Sequence, residues 1–227
     1  IQPEEVNSDD SLGSAKIFGH KLAQVVLEIS GGSMEEITGP ITSKFKVFSL
    51  PLAPPLSYEE ALKLAKDIPL DIGINHSKYR ESNWIRTLLK HYKEGIPFPT
   101  RTTDLVCTDE GNLVMELDEP REFPCHFEEV IVAKIGPMPL VAMQGEVTAP
   151  IGMRIKDAFR TRMPIMVFAY MGEHNCYIPT REMVRLDVYQ SKVIRTQYGS
   201  PCGWAPEVED EFVHGVIQMI ASVMKGN

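Results

Sequence analysis

The chain has 227 residues, 43% of them hydrophobic, enough to bury a full core and to form one large domain or two small ones. Its formal net charge of −8 argues against a nucleic-acid partner, which needs Lys and Arg gathered on one face. The longest apolar runs, Val130 to Ala133 and Met163 to Met171, fall far short of the roughly 20 residues of a membrane-spanning helix, so no transmembrane segment is expected.

The first thirteen residues, IQPEEVNSDDSLG, are polar and acidic and read as a loop or linker. Phe18, Leu22, Val25, Val26 and Ile29 then recur at helical period until Gly31-Gly32 supplies a stop. Interleaved Phe45, Val47 and Leu50 predict a strand over Ser43 to Leu50, ended by Pro51, Pro54 and Pro55; this proline-rich stretch reads as a connection inside one domain. Ser57 followed by Glu60 is a capping box and predicts a helix from Tyr58 to about Asp67. Trp84, Ile85, Leu88 and Leu89 predict another, over Lys78 to Lys93, with Gly95 and Pro97 beyond its end.

From about Thr100 the period changes to two, with Leu113, Met115 and Leu117 following the turn signal Asp109-Glu110-Gly111. Phe127 to Ile135 and Met138 to Met143 predict a hairpin turned at Gly136-Pro137. A short helix carrying Ile151, Ile155, Ala158 and Phe159 follows, then a buried strand over Pro164 to Tyr170. A last helix places Phe212, Val213, Val216, Ile217, Ile220 and Val223 on one face. This order predicts an α/β or mixed α+β fold, a sheet flanked by helices, with no internal repeat.

Four cysteines, Cys107, Cys125, Cys176 and Cys202, lie far apart with no CxxC pair, which excludes a zinc ribbon or thioredoxin motif and leaves buried or free thiols. The compartment is not legible from them. Glu146 follows a predicted strand and precedes a predicted helix, with Gly145 before it to turn the backbone; the position suits a carboxylate at a sheet edge, or an ordinary charge at a helix N-terminus. Tyr177 follows the turn Gly172 to Asn175 and is held from behind by Pro179; it suits a functional phenol or an anchoring tyrosine. None of the histidines shows ligand spacing: His174 reads as a loop residue, His20 and His214 as helix-surface residues, and His76, His91 and His126 form no HxxxH pair. The clusters Asp109-Glu110 and Glu207 to Glu211 read as solvated charge.

The run MQGE, then IGMRIKDAF, then a strand, then YIPTREMVRLDVYQ, resembles the C-terminal part of the catalytic domain of the neutral/alkaline (non-lysosomal) ceramidases, a family of zinc-dependent amide hydrolases. FGHKLAQVVLEI, SLPLAPP, SNWIRTLL and EEVIVAKIGPMPLVAM resemble further segments in the family's order, so the resemblance spans nearly all of residues 1–227. It implies Zn2+ as cofactor, metal-bound water attacking an N-acyl carbonyl, and a small-molecule or lipid amide as substrate. It also implies Glu146 and Tyr177 as metal ligands and Tyr189, near the scissile amide, as a catalytic contact. Two further histidine ligands and a Gly-Asp element belong, in the family, to an N-terminal half that these residues do not include, so that half is the expected partner. Gln144 stands where the family usually has proline, and Gln190 where an acid is typical. A non-catalytic binding or structural module of the same fold, with the metal lost, is the alternative.

Overall fold

The computed structural model describes residues 11–98, 104–108, 111–115, 125–161, 163–172, 176–198 and 200–225. The chain divides into two units, Ile1–Thr38 and Gly39–Asn227. The described part of the first is helix α1 (Ser11–Ser30), which takes in the end of the segment read as a linker; residues 1–10 lie outside the described residues. The helical period is borne out, yet Leu22, Val25, Val26 and Ile29 are exposed.

The second unit is built on a four-stranded sheet of order β1 (Ile41–Pro51), β4 (Cys125–Ile135), β5 (Met138–Gln144) and β7 (Met166–Met171). β1, β4 and β5 are antiparallel neighbours, and β7 joins β5 in parallel after a crossover through helix α4 (Ala149–Asp157). Gly136, with a φ of 53°, and Pro137 form the two-residue turn between Ile135 and Met138; a glycine at the first central position permits the twist a tight hairpin needs. Pro139 sits inside β5 without breaking it.

Alternation along the strands separates two faces. Phe48, Leu50, Val130, Val132, Val141 and Met143 point into the main core, closed by α4 and the C-terminal helix α7 (Val208–Lys225), whose Phe212 meets Phe48 edge-on. On the other face Phe45, Met166, Phe168 and Tyr170 are exposed. The segment read as a buried strand is therefore half-exposed, because β7 is an edge strand with one face open.

A smaller core is made by α2 (Tyr58–Leu64) and α3 (Tyr79–Glu94) around Ala61, Trp84, Ile85, Leu88 and Leu89. The capping box forms as expected: the Glu60 N–H donates to Ser57 Oγ at 3.2 Å, and the Ser57 N–H to Glu60 Oε2 at 2.8 Å. Trp84 Nε1 donates to the Ser200 carbonyl at 3.1 Å, tying this pair to the C-terminal segment. β2 (Asp104–Thr108) and β3 (Gly111–Met115) pair antiparallel, Thr108 opposite Gly111; residues 109–110 of the expected turn lie outside the described residues. Four further elements carry no long period and escape sequence reading: β6 (Glu146–Val147), β8 (Tyr177–Ile178), α5 (Arg181–Arg185) and α6 (Tyr189–Thr196). They surround the candidate site.

Candidate active site

At the end of β5 the backbone makes a sharp turn. Gly145 adopts a φ of 66°, a left-handed conformation that costs glycine little, and the chain leaves the main sheet at Glu146. Glu146 opens β6, which pairs in parallel with β8 so that Glu146 lies opposite Tyr177. The Glu146 N–H donates to the Cys176 carbonyl at 2.7 Å, and Thr148 donates to the Ile178 carbonyl through its N–H at 3.2 Å and its Oγ1 at 3.0 Å. Two residues remote in sequence become side-chain neighbours through this short backbone clamp.

The Tyr177 hydroxyl is hydrogen-bonded to Glu146, and its pKa is pushed up to about 12, first by that bond and then by desolvation and neighbouring charge. The Tyr170 hydroxyl donates to Glu146 Oε2 at 2.9 Å, which likewise raises its pKa. Tyr189 begins α6, is 58% exposed, and packs its ring edge-on against Tyr177 at a centroid distance of 5.9 Å. One carboxylate thus receives two phenols, and a third phenol abuts the pair. Tyr170 is absent from the sequence-derived candidates; its one sequence signal is its place at the end of the predicted strand Pro164 to Tyr170.

The frame behind these residues is polar and tied down. Thr180 caps α5, its Oγ1 accepting from the Met183 N–H at 3.2 Å. The Arg181 N–H donates to Glu209 Oε2 at 2.8 Å, and the Arg181 guanidinium pairs with Asp210. Arg154 Nη1 lies 2.7 Å from Glu209 and 2.9 Å from Asp210. The acidic run, read as solvated turn or helix-start charge, does lie in the first turn of α7 and in addition bridges α4 and α5, because the fold brings Arg154 and Arg181 to it.

The Glu146 carboxylate is an oxygen donor of a kind zinc accepts, and the adjacent Tyr177 phenol is a less usual one. A tetrahedral site needs more. Among the described residues no group of three or more His, Cys, Asp or Glu side chains is placed to hold a metal ion. His174 lies outside the described residues, and His20 and His214 are exposed on helices as expected. His126 is partly buried and stands 3.8 Å from Cys176 Sγ, with Cys176 next to Tyr177 in sequence. A cavity of about 230 Å³ is lined by Trp84, Asp187, Arg195 and Trp204, and one of about 260 Å³ by Met143, Val147, Met153, Val167 and Ala169; Glu146, Tyr170, Tyr177 and Tyr189 line neither. No described helix is long and apolar enough to cross a membrane.

No protein-family model and no curated protein sequence matches the chain. Solved structures do. Neutral ceramidase from Pseudomonas aeruginosa matches with a TM-score of 0.53 and 16% identity over 99% of this chain and 35% of that one. A ceramidase complexed with C2 matches with a TM-score of 0.50 and 15% identity over 96% of this chain and 35% of that one. At such identity the match is one of fold, and the chain spans about a third of the length of those proteins: it has the mixed α/β fold of part of a neutral ceramidase.

Proposed function

We propose that residues 1–227 are the C-terminal portion of a single ceramidase-like catalytic domain, and that the complete protein is a zinc-dependent hydrolase of a linear N-acyl amide. The observation that carries this reading is the pairing of Glu146 with Tyr177 across β6 and β8, with Tyr189 against Tyr177, in a chain with the fold of part of neutral ceramidase. Glu146 and Tyr177 would hold the zinc, which when bound polarises an amide carbonyl and makes water a better nucleophile at neutral pH. The exposed Tyr189 hydroxyl is suited to donate a hydrogen bond to the substrate carbonyl oxygen as negative charge gathers on it. The clamp of β6 on β8 holds Glu146 beside Tyr177 before substrate arrives, so little reorganisation of these two groups remains for the reaction itself.

The open side of the site and the exposed apolar face of the sheet support an N-terminal half of the same protein as the partner that closes both and brings the remaining ligands. The test uses tagged protein expressed in its native host and purified with everything bound to it. Zinc is expected at one per complex and is lost in Glu146→Gln and in Tyr177→Phe. Tyr189→Phe retains zinc and loses about 10²- to 10³-fold in kcat on an N-acyl substrate, the loss expected for one oxyanion donor. Wild-type protein purified without zinc favours a non-catalytic module, and unchanged zinc in Glu146→Gln removes that residue from the site.

A further inference from the structure

β7 does not run true to its end. Its pairing with β5 matches Ala142 with Phe168 but Gln144 with Met171, so three steps along β7 face two along β5 and the ladder bulges around Ala169 and Tyr170. At the bulge Tyr170 adopts a φ of 62°, a left-handed conformation that is an outlier for a bulky side chain and is strained. Its N–H donates to the Gly145 carbonyl at 2.9 Å, so the same bulge grips the residue before Glu146. The side chain is 62% exposed and adds little to a core, yet its hydroxyl meets Glu146 Oε2 at 2.9 Å. Bulges beside functional sites commonly re-aim a side chain, and backbone strain persists where other interactions hold it.

We propose that Tyr170 is a positioning residue for Glu146: the strained bulge places its hydroxyl so that it fixes the rotation of the carboxylate and directs the remaining acceptor capacity toward a cation. The proposal rests on the reading of Glu146 as a metal ligand. A carboxylate offers about four lone-pair positions, so the bonds from Tyr170 and Tyr177 together still leave acceptor capacity for ligation. Partners that orient a ligand in this way commonly change metal affinity about 10- to 100-fold when removed.

The experiment is a zinc titration of the full protein, purified from its native host with everything bound to it and stripped of metal, by competition with a chromophoric chelator. It compares wild type, Tyr170→Phe, Tyr170→Asn and Glu146→Gln. Tyr170→Phe removes only the hydroxyl and is expected to weaken the zinc dissociation constant about 10- to 100-fold, with an altered visible spectrum of the cobalt-substituted form and an unchanged unfolding midpoint without metal. Tyr170→Asn tolerates the left-handed backbone, keeps the bulge foldable if the phenylalanine variant does not fold, and is expected to bind zinc as weakly. Zinc lost in Glu146→Gln but bound at wild-type affinity by both Tyr170 variants overturns the role of Tyr170 alone. A change in metal-free stability with unaltered zinc affinity also overturns it, leaving a structural residue. Zinc bound equally by all four proteins overturns the ligand reading of Glu146 and this proposal with it.

Discussion

His126 is partly buried, its side chain 13% exposed, with Trp204 edge-on at a ring-centroid distance of 5.1 Å, Cys176 Sγ 3.8 Å away and Glu128 Oε2 also 3.8 Å away. Burial pushes its pKa down from 6.5 to about 4. Between those values the unfolded chain binds more protons than the folded one. The stability contributed by keeping this imidazole neutral is therefore complete above about pH 6.5 and is lost as pH falls toward 4. Urea unfolding is expected to show a lower midpoint at pH 5 than at pH 7, and His126→Gln is expected to shrink the difference; an equal pH effect in the variant refutes the assignment to His126. The absence of ligand spacing was legible around this residue. Its burial was not, since Cys176 lies 50 residues away and meets it only after β4 and the segment before β8 come together.

At the scale of elements, α7 sits unusually close to β1. A Cβ built on Gly215 would lie 2.4 Å from the Phe48 ring, which is already packed edge-on against Phe212 and covered by Lys46, whose Nζ is 4.5 Å from the ring centroid. Gly215→Ala gains about 1 kcal/mol of helix propensity but overpacks a buried ring, at a cost of about 1–3 kcal/mol. A net destabilisation of about 1 kcal/mol is expected from denaturant titration, and a variant more stable than wild type would show that α7 shifts outward freely. The long elements of this unit announce themselves through periodicity and caps, as the Ser57-Glu60 box and the Gly136-Pro137 hairpin do. β6 and β8, two residues each, contain too little sequence for a period to register; α5 has only five residues, and α6, with eight, lacks the side-chain cap that reveals α2.

Across the whole Gly39–Asn227 unit, Phe45 pairs with Ile131, Ile131 with Ala142 and Ala142 with Phe168, drawing one apolar row over all four strands of the exposed face. Leu140 and Met166 pair beside it, and Phe45 and Phe168 are 55% and 43% exposed. An apolar sheet face of this extent is characteristic of a surface that another layer covers. Phe45→Ser combined with Phe168→Ser removes exposed groups, so each change is expected to alter the stability of the isolated chain by no more than about 0.5 kcal/mol. The same pair is expected to abolish copurification of the complementary N-terminal half proposed above. Full retention of that half by the double variant would exclude this face as its seat.

Sequence by itself determined the elements whose stability is local, because helix and strand periods and caps depend on neighbours within a few residues. It also placed Glu146 and Tyr177 at strand ends, while Tyr189 was named only through the resemblance to the neutral ceramidases. Only the tertiary structure decided which groups meet: the β6–β8 register sets Glu146 against Tyr177, the β7 bulge turns Tyr170 onto the same carboxylate, and the packing of α4, α5 and α7 draws Arg154 and Arg181 to Glu209 and Asp210. Those contacts join residues from separate elements, and their geometry is set by packing and backbone pairing between elements, which no local pattern encodes.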